Sequence, residues 1–88
     1  MKLEETGLTF EDIKEKVNKY MIETYERMDF LAESAKDQYI YNEKGEKYLD
    51  FYAGIAVNSA GSCNEKVVKA VVDQAQTLMH TFNYPYTI

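Results

Sequence analysis

The 88-residue sequence predicts an α+β fold. Two stretches, one near each end, carry apolar residues at helical spacing, and between them lie two tyrosine-rich segments joined by a glycine turn. The first helix is predicted over about 10–27. Thr9-Phe10-Glu11-Asp12 reads as a capping box, with Thr9 as N-cap and an acidic side chain at the third helical position. Phe10, Ile13, Val17, Tyr20, Met21, Thr24 and Met28 then form one apolar stripe, while Lys14, Glu15, Lys16, Lys19 and Glu23 occupy much of the other side. Segment 29–36 loses that period and reads as an extended connection, with Leu31 and Ala32 available for packing.

The central hairpin is predicted over about 38–51. Tyr39-Ile40-Tyr41 and Tyr48-Leu49 favour strands, and Asn42-Glu43-Lys44-Gly45 supplies a type I turn with Gly45 at the left-handed position. The small residues between Ala53 and Gly61 then allow close backbone approach, with Ile55-Ala56-Val57 expected to be short and extended. A second helix is predicted over about 65–79. Ser62 and Asn64 compete as its N-cap, and Val67, Val68, Val71, Val72, Ala75 and Leu78 give it an apolar face. Valine is only a moderate helix former, so this helix must draw on tertiary packing. The aromatic tail that follows, ending Tyr84-Pro85-Tyr86-Thr87-Ile88, carries no cap and is expected to continue into a longer polypeptide.

A chain of this length makes one domain at most, 1–88, and buries only roughly 60–65% of its unfolded surface. Its composition, 45% apolar and 28% charged, is that of a globular protein. A net charge of −5, with acids interleaved among the bases, argues against a nucleic-acid partner. Met1-Lys2-Leu3-Glu4-Glu5 is acidic and lacks the apolar run of a signal peptide. No apolar run approaches the ~20 residues needed to span a bilayer, so no membrane partner is expected and a cytoplasmic location is the simplest expectation. Cys63 is the single cysteine, which excludes an intrachain disulfide. Tyrosines at 39, 41, 48, 52, 84 and 86 can serve a core or an interface. Their number in so small a chain favours an interface.

Few residues offer chemistry by themselves. His80, the single histidine, has no triad or metal partner at recognisable spacing and is read as closing the second helix, facing the negative end of its dipole. Cys63 lies beside a helix N-terminus, where a thiolate is favoured, but no His or Lys adjoins it in sequence, and it is read as a small packing residue. Asp50, a carboxylate without an acid partner, is read as stabilising the turn that begins at Phe51. The Gly54–Gly61 run matches neither phosphate-binding glycine spacing, so close packing accounts for it better than a nucleotide loop.

Taken in order, Tyr25-Glu26-Arg27, Tyr39-Ile40-Tyr41-Asn42, Gly45, Tyr48-Leu49-Asp50-Phe51, Gly54-Ile55-Ala56-Val57-Asn58, Gly61 and His80-Thr81 resemble the N-terminal portion of the class III, fold-type I aminotransferases. The resemblance spans roughly residues 24–84 and is nearest to the acetylornithine, ornithine and 4-aminobutyrate branch. Gly61-Ser62-Cys63-Asn64-Glu65 stands where that family has Gly-His-x-His-Pro, Asp37 replaces a common glycine, and Asp29 replaces a frequent proline.

The resemblance implies part of the small domain of a homodimeric enzyme that uses pyridoxal 5′-phosphate (PLP) to move an amino group from an amino acid to a 2-oxo acid. It implies substrate contact at Tyr25 and at Ile55, the latter an aliphatic pocket wall that donates no hydrogen bond. The PLP-bearing lysine, the aspartate that meets the pyridine nitrogen and the phosphate-binding turn are then expected in a large domain downstream of position 88. No catalytic, cofactor-binding or metal-binding residue is assigned within this chain, which is expected to be catalytically silent by itself. The alternative is a non-catalytic α+β module that binds a partner through its tyrosine-rich face.

Overall fold

A computed structural model describes residues 1–87, and Ile88, the last residue of the aromatic tail, lies outside the described residues. The chain runs α1 (Leu3–Thr6), α2 (Phe10–Tyr20), β1 (Ala32–Lys36), β2 (Tyr39–Asn42), β3 (Lys47–Leu49), the single turn α3 (Ala53–Ala56) and α4 (Glu65–Thr77). The architecture is α+β, with an antiparallel sheet in the order β1-β2-β3.

Helix α2 begins as the capping box predicts. Thr9 is extended, its hydroxyl oxygen accepts the Asp12 N–H at 3.1 Å, and the Asp12 carboxylate accepts the Thr9 N–H at 2.7 Å. The helix stops at Tyr20 rather than near Arg27. Met21 turns extended, and its N–H makes the final bond to the Val17 carbonyl at 2.9 Å. Ile22, Thr24 and Tyr25 follow, β-branched and aromatic residues with weak helix preference. Met21 and Met28 are exposed, so no packing offsets that preference.

The Asp12 cap carries a pH dependence. Hydrogen bonds from the Thr9 hydroxyl and then the Thr9 N–H hold the Asp12 carboxyl below the usual aspartate range. A carboxylate with a lowered folded pKa contributes stability above its unfolded value, and that contribution is lost as pH falls through the folded value. The Thr9 amide resonance is therefore expected to move toward its coil position below about pH 4. Asp12→Ala should place it there at every pH; a wild-type Thr9 resonance that does not respond to acid would contradict the cap.

Segment 29–36, expected to be a plain connection, contains strand β1. Its sequence, Ala32-Glu33-Ser34-Ala35-Lys36, has no strand preference of its own. Backbone pairing to β2 creates it, with Ala35 opposite Ile40 and a bulge between Ala32 and Ser34. Glu33 also accepts the Leu3 N–H at 2.7 Å, which ties α1 to the sheet. The β2–β3 hairpin forms as predicted, with Gly45 at φ 77° and Ile40 opposite Tyr48. Asp37, standing where a glycine was expected from the resemblance, keeps a glycine-like backbone at φ 53°, a region aspartate tolerates better than most residues.

Asn64, not Ser62, caps α4: its Oδ1 accepts the N–H groups of Lys66 and Val67. Ser62 is committed elsewhere, because its N–H and carbonyl both pair with the backbone of Asp37 at 2.8 Å. The helix ends at Thr77 rather than Met79, where the Leu78 N–H bonds the Gln74 carbonyl and the Gln74 side chain bonds the Leu78 carbonyl, both at 2.8 Å. His80 consequently lies beyond the helix and does not close it.

No hydrophobic side chain among the described residues is buried, and Asn42 is the one buried polar residue. The Cα radius of gyration is 17.0 Å, against about 12 Å for a compact domain of this length. The accessible surface is 8291 Å². A compact protein of 10.2 kDa exposes about 5,300 Å². The excess is on the order of 3,000 Å². On α4, Val67, Val68, Val71 and Val72 are all exposed.

Candidate functional site

Where helix α2 ends, the chain folds back and leaves a cleft of about 570 Å³ between α2 and residues 23–31. Phe10, Ile13 and Val17 supply one wall from the half-buried stripe of α2, and Phe30 and Leu31 supply the other. Phe30 is fixed in turn by an edge-to-face contact with Tyr48 of β3, the ring centres 5.0 Å apart. The cleft is thereby tied to the sheet.

Its rim is charged. Lys14 pairs with Glu11 one turn earlier on α2 and with Asp29 across the cleft at 2.9 Å. Hydrogen bonding to Glu11 first, and to Asp29 second, raises the Lys14 ammonium pKa above the usual lysine value. Tyr25 and Arg27 also line the cleft. The arrangement can receive a ligand with an apolar stem and a charged end. Tyr48 titrates above the usual phenol range, through partial desolvation first and then the negative charge of Glu46, so it stays a neutral donor to Glu46 at 3.2 Å.

Ile55, the second residue expected at a substrate site, does not line this cleft. It sits on the loop after β3 and is 75% exposed. The expected extended run Ile55-Ala56-Val57 is instead part of α3, and α3 is left-handed: Ala53, Gly54, Ile55 and Ala56 have φ of 48°, 59°, 64° and 60°. Hydrogen bonds to the carbonyls of Tyr52 and Ala53 close this turn and override the extended preference of the sequence. The two residues thus stand on separate segments, Tyr25 after α2 and Ile55 after the sheet. Beneath α3 a smaller cleft of about 320 Å³ is lined by Asp37, Gln38, Asp50, Ala53, Asn58 and Ser62.

Asp50 stabilises its turn as expected from sequence, accepting the N–H groups of Tyr52 and Ala53 on one carboxylate oxygen at 2.8 and 3.0 Å. Cys63 is exposed just ahead of the α4 cap, and its carbonyl accepts the Lys36 ammonium at 3.1 Å. Among the described residues no group of three His, Cys, Asp or Glu side chains could hold a metal ion, and no helix is long and apolar enough to cross a membrane.

An imine-forming lysine must be desolvated so that its amine is neutral. The described lysines do not fit that role. None is buried, Lys14 is shifted the wrong way by its two carboxylates, and Lys69 is paired with Asp73. Lys47 is engaged by the Tyr39 ring, its ammonium 4.2 Å from the ring centre.

Residues 20–87 match the sequence model of the family described as aminotransferase class-III. The acetylornithine aminotransferase of Methanocaldococcus jannaschii is 47% identical over 70 residues, which are 80% of this chain and 18% of that enzyme. An acetylornithine aminotransferase structure from Elizabethkingia anophelis superposes with a TM-score of 0.83 at 25% identity, covering 88% of this chain and 19% of that one. An ornithine aminotransferase structure from Toxoplasma gondii gives a TM-score of 0.85 over 97% of this chain and 20% of that one; at 24% identity that likeness concerns the fold. The chain spans about a fifth of the length of the curated relatives it matches.

Proposed function

Because this chain belongs to the class-III aminotransferase family, we propose that it is the N-terminal segment of a PLP-dependent enzyme that moves an amino group from an amino acid of the acetylornithine, ornithine or 4-aminobutyrate type to a 2-oxo acid. The carrying observation is the family match across residues 20–87, in a chain whose own lysines do not fit PLP. PLP supplies the electron sink for such a transfer. In this reading the cofactor is held by residues outside this chain, and the segment contributes substrate contacts and packing. Tyr25 contacts substrate from the rim of the α2 cleft, and Ile55 offers an aliphatic wall from the left-handed turn.

The uncovered area of about 3,000 Å² supports a segment that packs against further protein. The family reading extends this to a homodimeric, cytoplasmic enzyme. A free-standing module that binds through its tyrosine-rich face predicts instead a discrete, stable oligomer of the 88-residue chain in light scattering.

The activity test uses the 88-residue chain with PLP, N-acetylornithine and a 2-oxo acid. No transamination is expected, and borohydride reduction followed by peptide mapping should find no single lysine labelled in preference to the others. Turnover together with one preferred lysine adduct would refute the assignment of the cofactor site to residues outside the chain.

A further inference from the structure

Ile55 sits within a backbone conformation that L-residues do not adopt readily. In a left-handed turn each Cβ crowds the following carbonyl oxygen, and three of the four residues of α3 carry a Cβ. The turn is nevertheless regular. The N–H groups of Ala56 and Val57 donate to the carbonyls of Tyr52 and Ala53 at 3.0 and 2.9 Å, and the Asn58 N–H also reaches the Ala53 carbonyl at 3.0 Å. Such a turn needs support from outside itself.

Asp50 supplies that support at the leading end. Its Oδ1 accepts the N–H groups of Tyr52 and Ala53, which have no carbonyl partner within α3. Its own N–H donates to the Gln38 carbonyl at 2.8 Å, which fixes it to the β1–β2 turn. Asp50 and Ala53 are half-buried, whereas Ile55 is exposed, so the carboxylate works behind the turn and Ile55 stands in front of it. A right-handed turn between the same ends would send the Ile55 Cβ in a different direction.

We propose that Asp50 is a positioning residue: its carboxylate holds residues 53–56 left-handed and thereby sets the direction in which Ile55 meets the aliphatic chain of an amino-acid substrate. The substrate half rests on the proposed function. The positioning half rests on the hydrogen bonds of this chain and is tested without activity.

The experiment is NMR on the 88-residue chain as wild type, Asp50→Ala and Asp50→Asn. A positive φ brings each amide proton close to its own Hα, so Ile55 and Ala56 should show strong intraresidue amide–Hα NOEs in the wild type. Asp50→Ala should lose them while the cross-strand NOEs of Ile40 with Tyr48 persist. Asp50→Asn, which keeps an acceptor oxygen in place, should restore most of the intensity. Three results would each overturn the proposal: no left-handed signature in the wild type, its persistence in Asp50→Ala, or its loss together with the cross-strand NOEs. The last would make Asp50 a general structural residue. A failed aminotransferase reading would leave these NOEs unchanged, so the two ideas fail separately.

Discussion

Replacing Asn42 by alanine is expected to open the β2–β3 hairpin at a cost of about 3–4 kcal/mol. Asn42 is the most enclosed side chain described, 7% exposed, and it organises the turn from within. Its Oδ1 accepts the N–H groups of Lys44 and Glu46 at 3.1 and 2.8 Å, and its Nδ2 donates to the Glu46 carboxylate at 2.6 Å. Alanine removes all three bonds, each with a net value of about 1 kcal/mol, and the bond to a charged acceptor exceeds that mean. The disturbance should spread, because Glu46 also accepts the Tyr48 hydroxyl and Tyr48 holds Phe30 at the wall of the α2 cleft. Amide exchange at Glu46 and Tyr48 should accelerate, and the Phe30–Tyr48 ring contacts should weaken. Asn42→Asp keeps both N–H acceptors but sets a carboxylate against that of Glu46, so it should recover only part of the loss. Unchanged exchange in Asn42→Ala would show that the backbone turn holds itself.

Gly61→Val should also be damaging, by about 2–3 kcal/mol. Gly61 has φ 78°, where a β-branched residue is a steric outlier. A Cβ there would also meet the Asp37 Cα and carbonyl oxygen at 3.2 Å. Those atoms are backbone, so relief requires the two segments to shift apart by a few tenths of an ångström. That shift lengthens and weakens the paired bonds between Asp37 and Ser62, each 2.8 Å. Left-handed strain costs about 1–2 kcal/mol, and weakening the two bonds adds about 1 kcal/mol. Faster amide exchange at Asp37 and Ser62 is the readout, with the Asn64 cap of α4 as an internal reference. Protection retained at both amides would mean that the contact with Asp37 yields more easily than its geometry indicates.

The parts of this fold legible in the sequence are those set by local chemistry. Thr9 and Asp12 announce the start of α2, and Gly45 announces the hairpin, because caps and left-handed turns each require particular residue types. The end of α2 was not legible, since the apolar stripe continues to Met28 whether or not anything packs against it. Strand β1 was hidden for the opposite reason. Its residues have no strand preference, and pairing with β2 supplies what they lack. The handedness of α3 was equally invisible, because Ala53-Gly54-Ile55-Ala56 contains one glycine where the backbone holds four positive φ values. At the candidate site, the turn-stabilising role of Asp50 was readable from its place after a strand, and its purchase on α3 was not. Tyr25 was singled out through the resemblance alone, and the cleft it lines depends on α2 stopping early.

The loop from Asp50 to Ser62 is closed on the β1–β2 turn by main-chain groups alone: Asp50 to Gln38 at one end and Ser62 to Asp37 at the other. Phe51, Tyr52, Ile55 and Val57 are all exposed and take no part in that closure through their side chains. Closure therefore places no demand on the identity of these four side chains. New side chains at Phe51, Tyr52 and Val57 leave these main-chain bonds in place, while Asp50 and Gly61 stay fixed. A segment built this way separates what must be inherited from what can be explored: the loop keeps its course while the side chains it displays change.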